Sequence, residues 1–268
     1  MLSVHTNYSS LVAQNSVNKN NSLLSTAMER LSTGLRINGA DDDAAGLQIA
    51  NRLNANVVGM TTASRNVNDA TSMLQTADGA LDELTNIAER QKELATQAAN
   101  GVNSTADLTA LNEEFQALNT EAARIMDDTT YAGNDLFGKL STGTGVKFQI
   151  GAGTAETLDV QITKPTALTG DLTSQANATT AITAIDTYIN EVGTARSDLG
   201  ANINRLEHTA SNLANVTENT TAAAGRIMDA DFATESAAMT KNQLLVQAGT
   251  NVLSKANQNT GLVMGLLG

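Results

Sequence analysis

Three aspartates in a row, Asp41–Asp43, are the residues whose type and spacing first suggest chemistry: they could bind a cation or share a proton. A calcium loop of the EF-hand kind takes oxygen ligands from alternate positions and closes on a Glu. Here the triplet runs straight into AAGLQIANRL. Its other use is at a helix start, where acidic side chains accept the first free N–H groups and complement the helix dipole. That use is the one expected. The two histidines, His5 and His208, stand far apart with no HExxH, and neither a GxxxxGK[ST] nor a GxSxG stretch occurs. Catalytic residues, metal ligands and cofactors are therefore expected to be none. Asn215-Val-Thr is read as a product of Asn/Thr richness rather than a glycosylation signal, and Met60 as a packing residue.

Composition points the same way. Aromatic residues make up 3%, Trp is absent, Pro occurs once, and there is no cysteine to support disulfides or thiol chemistry. Small residues suited to close helix contact outnumber the bulky ones that fill a globular core, which favours a helical protein with a thin core. The net charge of −12 disfavours partnership with nucleic acid or an anionic membrane surface. The charge is uneven, because residues 1–40 carry Lys19, Arg30 and Arg36 against Glu29, so the acid excess belongs to the middle. The stretch MLSVHTNYSS lacks a basic start and an apolar run, so no cleavable signal is expected. No stretch approaches the ~20 apolar residues of a membrane span.

The elements that hold such residues follow from a seven-residue repeat. Leu53, Met60, Val67, Leu74, Leu81 and Ala88 recur at sevens, with Ile49, Asn56, Ala63, Ala70, Ala77 and Leu84 as a companion row. Two rows at 3–4 spacing make one seam on a helix over 44–99, roughly 80 Å long. Ile185, Val192, Leu199, Leu206 and Leu213 repeat likewise, with Ile182, Ile189, Ile203 and Ala210 beside them and Arg196 interrupting. A third helix over 105–128 carries Leu108, Leu111, Phe115, Leu118 and Ile125 on one face and opens on a capping box at Ser104 and Asp107. Alternation at Val146, Phe148 and Ile150, then at Leu158, Val160 and Ile162, around GAGTAET predicts a β-hairpin. Residues 165–178 read as loop.

The fold class predicted is mainly α: an elongated antiparallel coiled-coil bundle with a small β-hairpin region. Domain limits are expected at 1–40 (terminal helix and joint), 41–140 (bundle), 141–180 (hairpin and outer loop), 181–224 (bundle) and 225–268 (second terminal helix). Both ends bear single seams, Val17, Leu24 and Leu31 at the start and Phe232, Met239, Val246 and Leu253 at the close. One stripe without a core cannot repay the ordering cost of about 1–2 kcal/mol per residue. The ends are therefore expected to gain stability by packing on copies of themselves. Gly34 and Gly39 are expected to loosen the chain between the first helix and the second.

The run SLVAQNSVNKNNSLLSTAMERLSTGLRINGADDDAAGLQIANRL resembles bacterial flagellin, as do ASRNVNDATSMLQTADGALDEL, RQKELATQAANG and RIMDADFATESAAMTKNQLLVQAGTNVLSKANQ. The likeness covers most of 10–137 and 180–268, and the short middle marks a form with a reduced central variable domain. It implies a structural subunit, not an enzyme, exported unfolded through the flagellar type III apparatus and polymerised into the extracellular filament that drives swimming, with the terminal helices paired inside. It implies as partners further copies of the chain in a helical homopolymer, an export chaperone on the last helix, and hook-associated junction and cap proteins. It also implies a contact for the vertebrate Toll-like receptor for flagellin at Arg90, Leu94 and Glu114, with Leu94 on the convex face. Leu266 and Leu267 resemble terminal leucines sensed by cytosolic receptors. Two other readings fit less well: a hook–filament junction protein of the same structural class and, in a different class, a secreted coiled-coil effector or translocator acting on membranes.

Overall fold

The computed structural model describes residues 6–143 and 145–267, with side chains as far as 258. The chain is mainly α and gathers into two compact units. One comprises the residues up to 55 together with those from 219 onward; the other comprises 56–218.

The unit 56–218 is built on α2 (Ala40–Ala98), α3 (Thr105–Asp128) and α5 (Gln175–Met228), of which α2 and α5 also contribute to the other unit. The predicted α2 seam holds from Met60 to Ala88, where Met60, Ala63, Val67, Ala70, Leu74, Ala77, Leu81, Leu84 and Ala88 are all buried. Before that it fails: Leu53 is half-buried, Asn56 is exposed and Ile49 is 41% exposed. Spacing tells which face a residue occupies, not whether a neighbour covers that face. In α5 the row Ile185, Val192, Leu199 and Leu206 is buried as expected, and its companion Ile182, Ile189, Ile203 and Ala210 packs half-buried against the same core. Ala181, Tyr188 and Ala195, one residue earlier, are buried outright. At the half-buried edge of the seam Arg196 Nε meets Asp78 Oδ1 at 2.9 Å and Nη1 meets Asp82 Oδ1 at 2.7 Å. The apparent interruption is a cross-helix ion pair. Burial, with the charge of Glu191 adding to it, pushes the Tyr188 phenol up to about 12.

At the start of α3 the capping box is complete: Asp107 N–H donates to Ser104 Oγ at 3.3 Å, and Ser104 N–H donates to Asp107 Oδ2 at 2.9 Å. The predicted hairpin forms from β3 (Val146–Gln149) and β4 (Thr157–Val160), with Phe148 opposite Leu158 and Lys147 opposite Asp159. Its inward residues Leu158, Val160 and Ile162 enter the same core as Phe115 and Leu74.

Two elements were not foreseen. A short hairpin of β1 (Thr130–Tyr131) and β2 (Asn134–Asp135) turns on Ala132 and Gly133, both at positive φ. The helix α4 (Leu136–Ser141) then buries Leu136, Phe137 and Leu140. Strands of two residues are too short to show any period. The loop before α5 is also less free than its composition suggests. Leu172 is fully buried, its N–H donates to Asn112 Oδ1 at 2.8 Å, and Thr166 N–H donates to Glu191 Oε2 at 2.7 Å.

The other unit pairs α1 (Tyr8–Thr33) with α6 (Phe232–Leu267), joined by the first residues of α2 and the last of α5. The two helices run antiparallel: Asn7 Nδ2 donates to Ala256 O at 2.9 Å at one end, and Arg30 Nη1 meets Glu235 Oε1 at 3.0 Å at the other.

Candidate subunit interface

The joint between α1 and α2 takes its shape from hydrogen bonds, not from loosened backbone. Gly34 caps α1 in the left-handed conformation at φ 73°, and its N–H donates to Arg30 O at 2.9 Å. A side chain there would be strained. Residues 34–36 then lie beside the α5–α6 link: Ala230 N–H donates to Gly34 O at 3.0 Å, Arg36 N–H to Met228 O at 2.6 Å, and Leu35 bridges Asp229. Gly39 is held too, its N–H donating to Asp42 Oδ2 at 3.3 Å. The expectation that Gly34 and Gly39 loosen the chain is therefore corrected.

The aspartate triplet divides its work. Asp43, with non-helical backbone at φ −163° and ψ 95°, accepts from Gly46 N–H at 2.9 Å and caps the long run of α2. Asp42 faces the other way, accepting from Asn38 N–H at 2.9 Å and lying 3.6 Å from Arg30 Nη2. Among the described residues no group of three acidic or imidazole side chains is arranged to hold a metal. The Asn38 and Gly39 N–H groups, and then the Arg30 charge, hold the Asp42 carboxyl below its ordinary range. A depressed folded value means its contribution is present above the unfolded value, about 3.9, and is lost as pH falls through the folded one. Acid should thus release the 38–39 backbone only below the usual aspartate midpoint. Following the Asn38 and Gly39 amide shifts by NMR against pH would test this, and a midpoint at the ordinary aspartate value would contradict it.

The α1/α6 pair has a regular seam. On α1, Ala13 and Ala27 are buried and Val17, Asn20, Leu24 and Leu31 half-buried; on α6, Asn242 is buried and Met239, Val246, Gly249, Leu253 and Ala256 half-buried. Val17, Leu24, Leu31, Met239, Val246 and Leu253 thus face the partner helix of the same chain. Phe232 does not: it is the first residue of α6, just past the Asp231 cap, and at 61% exposure it lies outside the seam that the two helices share within this chain. Side chains of Leu266 and Leu267 lie outside the described residues.

What the pair leaves uncovered is the larger finding. Tyr8, Leu11, Val12, Leu23 and Met28 on α1, and Leu244, Leu245 and Val252 on α6, are exposed large apolar residues. Between the helices Tyr8, Val12, Leu245 and Val252 line an open groove of about 500 Å³. Exposed apolar surface concentrated in this way marks a contact site. Sequence reasoning missed this outer row, although a signal existed. The apolar residues come in adjacent groups, Leu11-Val12-Ala13, Leu23-Leu24, Leu244-Leu245-Val246 and Val252-Leu253, wider than one seam requires. One member of each group turns inward and its neighbour outward. Charge is segregated in the same sense: acidic and basic residues balance in 1–55 plus 219–268, and the whole acid excess falls within 56–218.

Arg90 and Glu114 come together on the α2 and α3 surface of the other unit. Arg90 Nη2 lies 2.8 Å from Glu114 Oε1 and Nη1 lies 2.8 Å from Glu93 Oε2, with both ion pairs about half exposed. Leu94 does not join them. At 2% exposure it belongs to the core with Phe115, so its expected place on an outer face is corrected. It follows Arg90 by four residues, but the helix turn carries it inward. Beside it, buried Gln91 donates to Asn119 Oδ1 at 2.7 Å and ties α2 to α3.

Comparison with known proteins gives a consistent picture. Residues 4–142 match the family described as the bacterial flagellin N-terminal helical region, and residues 182–267 match the C-terminal helical region. The hairpin β3/β4 and the loop before α5 lie between the two. A flagellin of Halalkalibacterium halodurans is 45% identical over 248 residues, 90% of each chain. Polar flagellin B/D of Vibrio parahaemolyticus is 33% identical over an alignment of 380 positions spanning 100% of both. Among solved structures, Bacillus cereus flagellin is similar with TM-score 0.50 and 35% identity, covering 56% of this chain and 88% of that one. A Vibrio parahaemolyticus protein assigned as flagellar hook-associated shares the fold at TM-score 0.61 and 14% identity, covering 70% of this chain and 100% of that one.

Proposed function

The chain belongs to the bacterial flagellin family and is a structural subunit of the flagellar filament; on that premise we propose that the outer face of the α1/α6 pair is where one subunit docks on the next. The observation that carries this reading is the row of exposed apolar residues on both helices, from Leu11 to Met28 and from Leu244 to Val252. A second copy of the chain is the occupant that the polymer supplies. Charge balance in this unit removes the repulsion that like copies would otherwise meet on close approach.

Leu244, 62% exposed, provides the test. Leu244→Asp should leave the helix content of the monomer unchanged, because the side chain touches water already. It should stop elongation when monomer is added to filament seeds and followed by electron microscopy. Elongation at the normal rate would remove the docking face from this position.

The finer assignments rest on the same premise. The filament is extracellular, and its subunits pass unfolded through the flagellar export apparatus. An export chaperone grips the apolar stripe of α6, an amphipathic helix of the kind that lies in a groove. Hook-associated junction and cap proteins flank the polymer at its two ends, and the fold shared with a hook-associated protein supports that reading. Arg90 and Glu114 are the residues offered to the vertebrate receptor by the monomer. Among the described residues no helix is long and apolar enough to cross a membrane.

A further inference from the structure

We propose that Asn100 is a site of spontaneous deamidation, and that the fold directs this chemistry to Asn100 while shielding the chain's other Asn-Gly pair, Asn38-Gly39. The reaction needs no enzyme. The amide nitrogen of the following glycine loses its proton to hydroxide and attacks the asparagine Cγ. A C–N bond forms, the Cγ–Nδ2 bond breaks, and Nδ2 leaves as ammonia. Water then opens the cyclic imide at either carbonyl, giving aspartate or isoaspartate. Glycine favours the step because it has no side chain to obstruct the attack. By sequence alone the two pairs are equivalent.

The structure separates them by the state of the attacking group and of the carboxamide. At the joint, Gly39 N–H is held by Asp42 Oδ2 at 3.3 Å, and the same carboxylate takes Asn38 N–H at 2.9 Å. Ionised oxygen beside an N–H opposes its deprotonation. The Asn38 carboxamide is turned away as well, Nδ2 donating to Leu35 O at 3.2 Å. Nucleophile and electrophile are both engaged elsewhere.

In the turn between α2 and α3 the constraints are reversed. Asn100, Gly101 and Val102 are exposed, and no hydrogen bond of the described residues occupies the Gly101 N–H. Val102 N–H lies 3.4 Å from Asn100 Oδ1, so the carboxamide folds back over the peptide that must attack it. That contact also draws electrons from the carbonyl and makes Cγ a better electrophile. Substrate, nucleophile and leaving group all belong to this one turn, and water is the only co-reactant.

The product places a new carboxylate in the groove lined by Glu89, Lys92, Glu93 and Asn103, and in the isoaspartate form adds a methylene to the backbone just before the Ser104 cap. The test is peptide mapping by mass spectrometry after incubation of the full-length folded protein in neutral and in mildly alkaline buffer. Asn100 should convert, faster in the alkaline buffer, and Asn38 should lag by about tenfold or more, the factor expected when a charge-assisted hydrogen bond must first be broken. In urea, with both turns unfolded, the two sites should convert at similar rates. Asp42→Ala should narrow the folded-state gap by freeing Gly39, and Gly101→Ala should suppress conversion at Asn100 without disturbing α2 or α3. Equal rates at the two sites in the folded protein would overturn the proposal. So would an unmodified Asn100 in conditions where the unfolded chain converts at both.

Discussion

Gly249→Leu should abolish filament formation while leaving the unit 56–218 folded as before. A Cβ placed on Gly249 would lie 2.6 Å from Val17 Cγ2, closer than carbon atoms approach in folded proteins. Val17 is branched at Cβ and has little rotamer freedom with which to yield. Overpacking of this kind costs about 1–3 kcal/mol, against a gain of under ~1 kcal/mol from replacing a glycine within a helix. The clash wins, because the α1/α6 pair rests on one seam in which Asn20 and Asn242 already occupy apolar positions. Helices forced apart or out of register no longer present Leu11, Leu23, Leu244 and Val252 as one face. Seeded elongation should fail, while the thermal transition of the 56–218 core stays in place.

A compensating pair sharpens the result. Gly249→Ala adds only the clashing methyl group and should slow elongation. Adding Val17→Ala removes its partner atoms and should restore the rate. If Gly249→Leu polymerised normally, the close approach of α1 and α6 at this point would have no bearing on assembly.

The second large effect falls in the other unit. Leu94→Ala should destabilise the bundle by about 2–5 kcal/mol, the cost of truncating a fully enclosed leucine. Leu94 is 2% exposed and lies in the cluster that includes Phe115 and Leu81. Against a total stability of about 5–15 kcal/mol, that loss lowers the denaturant midpoint markedly with little change in slope. Arg90→Ala and Glu114→Ala should behave differently. Their ion pair is exposed and screened, so both variants should melt close to the parent protein. An unshifted midpoint for Leu94→Ala would show that the α2/α3 core is looser than its burial indicates.

This contrast governs how the proposed receptor contact is to be probed. A Leu94 variant with reduced signalling reports on folding as much as on contact. Arg90→Ala and Glu114→Ala isolate the surface, and full potency of both in a reporter assay with monomer would withdraw that surface from consideration.

Much of the architecture was legible in the chain because periodicity is a local property. Heptads from Met60 to Ala88 and from Ile185 to Leu206, the alternation around the hairpin, and the Ser104 and Asp107 cap signal each depend on residues a turn or two apart. The family likeness is likewise linear, carried by long collinear runs at both ends. That the Asp41–Asp43 triplet serves a helix start could also be read directly, though not which of the three does the capping.

Tertiary structure decided which side of each pattern is covered, since burial depends on what arrives from elsewhere in the chain. It buried Ala181, Tyr188 and Ala195 more deeply than the companion row expected in α5, and turned Arg196 from a flaw in a seam into a bridge to Asp78 and Asp82. It took Leu94 from an expected surface into the core and left Phe232 in water. It made a braced joint of residues 34–42, since their hydrogen-bond partners Met228 and Ala230 lie nearly two hundred positions away. Along one helix, a repeat names the faces. Only the meeting of distant segments determines which face is spent on this chain's own fold and which is left uncovered.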